Sequence, residues 1–197
     1  MPAAAGKALI PETASATGMC AAPGKNHFEL FGLPVAFDVD ADDLASRYRE
    51  IQRRVHPDKF ANASDQERRL SMQMTALVNE AFRTLKDPVQ RGRYLLSLRG
   101  VDVGEETDTA MEPAFLMEQM EWRENLEEIR QADNPHKQLA ELANRIEQHM
   151  QDKIGNFRNS LDKDSPEEIR KARNIVREMQ FLEKMQQEID NLEEELS

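Results

Sequence analysis

Ile51-Gln52-Arg53-Arg54-Val55-His56-Pro57-Asp58-Lys59-Phe60 is the stretch around which this chain is organised. Pro57 disfavours helical geometry in the residue before it, so a helix ends at His56. Upstream, Leu44, Tyr48, Ile51 and Val55 are spaced 4, 3 and 4, one apolar face of a helix that starts near Asp40. Downstream, Ser64 and Glu67 form a capping-box pattern, and Leu70, Met74, Leu77, Ala81 and Leu85 make the next stripe. His56 to Phe60 is therefore the loop of a helical hairpin. The helix leading into it carries Arg47, Arg49, Arg53 and Arg54. At about 100° per residue, Arg49 and Arg53 lie away from the apolar stripe, while Arg47 and Arg54 flank it. A basic helix face that ends in a rigid polar loop is a docking surface for an acidic partner.

Working outward, a short helix over Phe28 to Leu33 precedes the hairpin. Another follows it, opened by Asp87 as cap with Pro88 in the first turn, and stopped at Gly100. Residues 1–25 are rich in Ala, Gly, Pro and Thr without periodicity and read as a disordered tail. Residues 101–112 read as a polar linker. Three longer helices come next. Pro113 starts one that runs to about Ala132. Asn134 and Pro135 start the second, with Leu139, Leu142, Ile146, Ile154 and Phe157 on one side. Ser165, Pro166 and Glu168 open the third. Short connections between apolar-striped helices predict an antiparallel bundle. The expected fold is all-α: a hairpin domain over 26–100, a linker over 101–112 and a three-helix bundle over 113–197.

The composition excludes several functions. The chain has 197 residues and a net charge of −11. Residues 101–197 hold 12 basic and 25 acidic residues, so the whole imbalance lies in the carboxy half. Phosphates would be repelled there, which argues against a nucleic-acid partner. No run approaches the ~20 apolar residues of a membrane span. The single Cys20 forms no internal disulfide and supplies no cysteine zinc site. These features point to a reduced, cytoplasmic compartment. His27, His56, His136 and His149 show no metal-ligand spacing. Asp38-Val39-Asp40-Ala41-Asp42 begins like an EF-hand loop, but the sixth position is Asp43 rather than Gly and the twelfth is Arg49 rather than Glu. A catalytic site, a metal and a cofactor are all unexpected.

The first helix of the carboxy half carries two stripes. Phe115, Trp122, Leu126 and Ile129, spaced 7, 4 and 3, are the expected core contact. Met117, Glu121, Glu124 and Glu128 run roughly opposite, bordered by Leu116 and Met120. An exposed Leu/Met patch beside a carboxylate row is a binding surface. In the last helix the core stripe reads Ile175, Met179, Leu182, Gln186 and Ile189, with Phe181 pointing away from it. A large aromatic off the core face invites a partner or a neighbouring helix.

Residues 26–100 resemble a J-domain. The resemblance rests on the basic second helix, on His56-Pro57-Asp58, and on Asn79-Glu80-Ala81-Phe82-Arg83-Thr84-Leu85-Lys86-Asp87-Pro88 followed by Arg91 and Tyr94. It implies stimulation of ATP hydrolysis by a DnaK-type chaperone. Contact would come from His56, Pro57, Asp58 and Lys59, with Arg49 and Arg53 in support. No Gly/Phe-rich segment and no paired-cysteine zinc motif follows, so the general-purpose substrate-binding J-proteins match poorly.

Over about residues 26–197 the chain resembles the HscB family of iron–sulfur co-chaperones. The further marks are Tyr94-Leu95-Leu96-Ser97-Leu98 after Arg91, and Phe115-Leu116-Met117-Glu118-Gln119-Met120-Glu121. Met120 stands where Leu is common in that family. The resemblance implies an L-shaped molecule whose J-domain binds an HscA-like ATPase chaperone. Its bundle would bind an IscU-like cluster scaffold. Leu116, Met117, Met120, Glu121, Glu124, Glu128 and Phe181 match the scaffold-binding surface by position. With only Cys20, the chain resembles the bacterial form rather than the eukaryotic form with its cysteine zinc module. A general J-protein with a different client on its helical carboxy half is the alternative reading.

Overall fold

The computed structural model describes residues 25–104, 113–163 and 165–196, and among these the chain is all-helical. The tail with Cys20, and residues 105–112 of the expected linker, lie outside the described residues. The helices are α1 (His27–Phe31), α2 (Ala41–Val55), α3 (Asp65–Lys86), α4 (Pro88–Leu98), α5 (Pro113–Ile129), α6 (Pro135–Leu161) and α7 (Pro166–Leu196). A 3-10 turn over Pro57–Phe60, not foreseen from the sequence, joins α2 to α3. The described residues form two compact units. Of the described residues, one unit holds 25–35 together with Asp40–Arg83; the other holds Ala36–Val39, 84–104, 113–163 and 165–196. The first domain expected from the sequence spans 26–100. By contacts, the last turn of α3 and all of α4 group instead with the carboxy-terminal helices.

The first unit is built from well-capped helices. Asn26 and Glu29 close a reciprocal capping box on α1, and Gly32 ends it at a φ of +64°, which suits a residue without Cβ. Asp40 caps α2 by accepting from the Asp42 and Asp43 amides at 2.9 Å. The expected box on α3 is present, with the Ser64 amide donating to Glu67 at 2.9 Å. Arg47 bolts α1 to α2. Its guanidinium donates to the Phe31 and Gly32 carbonyls at 3.0 and 3.1 Å while pairing with Asp43 at 2.9 Å. Phe28, Phe31, Leu44, Val55, Val78 and Ala81 are buried in this unit. Tyr48 stacks on Phe82 with ring centroids 4.1 Å apart, and its hydroxyl donates to Asn79 at 2.9 Å. The expected α3 stripe is displaced. Ala81 and Leu85 are buried as expected, but Leu70, Met74 and Leu77 are only half-buried, and Ser71 and Val78 are buried in their place. Ser71 takes a core position because a backbone carbonyl of α2 needs its hydroxyl there.

In the second unit, Asp87 caps α4 by accepting from the Gln90 amide at 2.8 Å. Gly100, at a φ of +75°, closes the helix, and the Val101 amide reaches back to the Leu96 carbonyl at 3.0 Å. Phe115, Trp122, Leu126 and Ile129 of α5, Leu139, Leu142 and Ile146 of α6, and Leu182, Met185, Ile189 and Leu192 of α7 make one core. The α5 core stripe is as the sequence spacing predicts. On α7, Met179, Leu182 and Ile189 are buried as expected, but Ile175 and Gln186 are only half-buried. Ala172, Val176, Phe181, Met185 and Leu192 are buried in addition. The buried face of α7 is wide because α4, α5 and α6 all pack on it. Gly92 lets α4 approach closely. A Cβ at that position would stand 3.3 Å from the Phe157 ring and from Val176. Phe37, from the short segment before α2, sets its ring 4.8 Å from that of Phe157, and Asp38 pairs with Arg158 at 2.7 Å.

Candidate functional site

His56 is where α2 ends. Its backbone is extended (φ −57°, ψ 129°), as the proline after it requires, and its Nδ1 accepts from the Asp58 amide at 3.3 Å. Pro57 then enters the 3-10 turn at its first position, where its missing N–H costs nothing. Asp58 stays open to solvent, and its carboxylate lies 3.5 Å from His56 Nδ1. The turn is thus a short, rigid, polar tip with His56, Asp58 and Lys59 all exposed.

The four α2 arginines divide into two kinds. Arg47 is the bolt to α1, and Arg54 pairs with Glu50. Arg49 and Arg53 are exposed and form no ion pair among the described residues. One turn apart, they present two uncommitted guanidinium groups on the helix that ends at His56. A guanidinium keeps its charge at any physiological pH and can grip a carboxylate with two hydrogen bonds. The structure therefore brings the His-Pro-Asp turn and the two expected arginines together in one unit.

The expected face on α5 is also present. Leu116 is 44% exposed, and Met117 and Met120 are each 64% exposed. Glu121, Glu124 and Glu128 continue along the solvent side of the same helix. Phe181 is a correction. It is only 9% exposed and belongs to the core, with its ring 5.8 Å from that of Phe115 and 6.0 Å from that of Trp122. Of the two destinies open to an aromatic off the main stripe, a neighbouring helix claimed it. Large aromatic surface is more stable covered, and α5 lies directly over it. The Arg123 guanidinium closes over the Phe181 ring at 5.6 Å. Phe181 thus supports the helix that carries the patch.

Two supporting features were not read from the sequence. Ser71 and Thr75 of α3 hold the end of α2, at 2.6 and 3.3 Å from the Val55 carbonyl. Their 4-residue spacing within an apolar stripe is the signal that could have found them. The second is an ion pair between Lys153 and the buried Glu178, 2.6 Å apart, with the Lys153 ammonium 5.3 Å from the centre of the Phe115 ring. It ties α6 to α7 beneath the start of α5. Breaking one partner of such a pair strands a buried charge.

An all-helical hairpin with a His-Pro-Asp turn, together with a helical unit bearing an exposed apolar face, is the arrangement that the resemblance to J-type co-chaperones implies. A family model described as the HSCB C-terminal oligomerisation domain matches residues 111–190. The co-chaperone HscB homologue of Shewanella amazonensis is 46% identical over 171 residues, covering 87% of this chain and 98% of the relative. The homologue of Shewanella halifaxensis is also 46% identical over the same coverage. Among solved structures, the chaperone HscB of Vibrio cholerae aligns with a TM-score of 0.77 at 36% identity, covering 88% of this chain and all of that one. The human co-chaperone HscB aligns with a TM-score of 0.80 at 31% identity, covering 87% of this chain and 83% of the other. The chain belongs to the HscB family of co-chaperones. Among the described residues no helix is long and apolar enough to cross a membrane.

Proposed function

We propose that this chain is a cytoplasmic co-chaperone of iron–sulfur cluster assembly that presents a scaffold protein of the IscU type to a dedicated DnaK-type chaperone of the HscA type. Residues 26–100 act as the J-domain, and 113–197 as the scaffold-binding bundle, with 101–112 as linker. The observation that carries this reading is the pairing of two surfaces on one chain. One is a polar His56-Pro57-Asp58 tip beside uncommitted Arg49 and Arg53. The other is the exposed Leu116, Met117 and Met120 patch beside a carboxylate row.

Arg49, Arg53 and Lys59 attract an acidic surface of the ATPase chaperone and set the approach. The rigid turn then places His56 and Asp58 against it and stimulates ATP hydrolysis. Leu116, Met117 and Met120 bury apolar surface against the scaffold, while Glu121, Glu124 and Glu128 select a basic rim on it. Holding both partners on one molecule raises the effective concentration of scaffold at the chaperone. No covalent bond is made or broken by this protein.

Steady-state ATP hydrolysis by the chaperone tests the reading, with this protein alone, the scaffold alone, and both. Stimulation by both together well beyond the product of the separate effects is the expected result. Stimulation that ignores the scaffold would assign the α5 face to a different client.

A further inference from the structure

We infer that Met117 and Met120 form a reversible oxidation site that controls docking at the α5 face, an inference that rests on the reading of that face as scaffold-binding. Both side chains are 64% exposed and stand three residues apart, beside exposed Leu116. Residues at that spacing are neighbours on a helix surface. Oxidation of a thioether follows access to the sulfur. Met179 and Met185 have no exposed surface, and Met74 and Met150 are half-buried. Met72, on α3 in the other unit, is the remaining exposed methionine among the described residues. Peroxide therefore meets the docking patch before it meets the core.

The chemistry needs only hydrogen peroxide as oxidant. A sulfur lone pair attacks one peroxide oxygen, the S–O bond forms, and the O–O bond breaks. The departing oxygen collects the protons and leaves as water. Sulfur loses two electrons and peroxide gains them. Two thiols, acting through methionine sulfoxide reductases, return the thioether and yield a disulfide and water.

The product changes the surface in kind. A sulfoxide oxygen is a strong acceptor that must find a donor when buried. Leu116 supplies none, the neighbouring Glu121 and Glu124 are carboxylates, which are themselves acceptors, and the guanidinium of Arg123 is engaged over the Phe181 ring. Docking would then bury unsatisfied oxygens. Neither methionine belongs to the core of α5, α6 and α7, so the fold is untouched.

The test treats the full chain with hydrogen peroxide, removes the oxidant, and only then adds the untreated scaffold. Peptide mass mapping should find one added oxygen on Met117 and on Met120, with Met179 and Met185 unmodified. Scaffold affinity should fall at least about tenfold, with the helical signal unchanged. Treatment with the two epimer-specific reductases and a dithiol should restore it. A Met72→Leu variant should lose affinity on oxidation as the parent does. A Met117→Leu, Met120→Leu double variant, whatever its own affinity, should lose none of it to peroxide. Full affinity with both sulfoxides present would overturn the inference while leaving the docking face standing. An equal peroxide loss in the double variant would overturn it too. Absence of scaffold binding by the untreated protein would instead remove the reading on which it rests.

Discussion

The Ser71 hydroxyl on α3 donates to the Val55 carbonyl at 2.6 Å, and Val55 is the residue immediately before His56. That carbonyl is one of the acceptors left without a helical partner at the end of α2. Thr75 reaches it as well, at 3.3 Å. The position of the His-Pro-Asp turn is therefore set from α3, across the hairpin. Ser71→Ala should lower stability by about 0.5–1.5 kcal/mol, the usual worth of one hydrogen bond, because Thr75 still reaches the carbonyl. It should also raise the concentration of this protein needed to stimulate the chaperone, measured beside a urea unfolding curve. A normal dose–response with reduced stability would confine Ser71 to a folding role.

His56→Gln addresses the turn itself. His56 is exposed and outside both cores, so its replacement should change unfolding free energy by no more than about 0.5 kcal/mol. Stimulation of ATP hydrolysis should vanish while scaffold affinity is unchanged. Loss of both activities in a folded variant would refute the division of labour between the two units.

Leu116→Ala combined with Met120→Ala should weaken scaffold binding about tenfold or more and leave scaffold-independent stimulation intact. Phe181→Ala is expected to behave differently. Its ring is packed between α5 and α7, so removal should cost about 3–5 kcal/mol of stability, read by denaturant unfolding. A stable Phe181 variant that binds scaffold poorly would mean that its ring is reached by the partner after all.

Glu183 on α7 is partly buried, and desolvation, aided by the nearby Asp87 carboxylate that caps α4, pushes its pKa up. A carboxyl raised above its unfolded value stabilises the fold only while protonated. That contribution is fully present below the ordinary carboxylate range and is lost as pH rises through the raised value. Glu183→Gln should therefore be more stable than the parent at pH 7, with the gain disappearing as the pH falls toward 4. Thermal unfolding at several pH values measures it, and a gain that is independent of pH would contradict the assignment.

Gly92 gives a packing test. Gly92→Val would press new atoms into Phe157 and Val176, where the first added carbon already stands 3.3 Å away. Overpacking of this kind should cost about 1–3 kcal/mol in an unfolding titration.

Much of the molecule was legible in the chain because local rules decide it. Pro57, Pro88, Gly100 and the Ser64–Glu67 pair mark helix ends through backbone geometry that no distant residue can alter. The 3- and 4-residue spacings told which side of α5 is covered, since a helix turns by a constant angle. Arg49 and Arg53 could likewise be assigned to solvent from the helix phase alone. Other features depend on what a second element does. Whether Phe181 meets solvent or a ring, whether Ser71 is surface or core, and how wide a face α7 buries were settled by α5, α2 and α4 packing on them. The same holds for α4, which follows the hairpin in the chain yet packs with α7, because Gly92 permits an approach that only Phe157 and Val176 make meaningful. Periodicity along one helix reports its own angle, whereas burial depends on how many neighbours share its surface, and those neighbours are brought in only by tertiary structure.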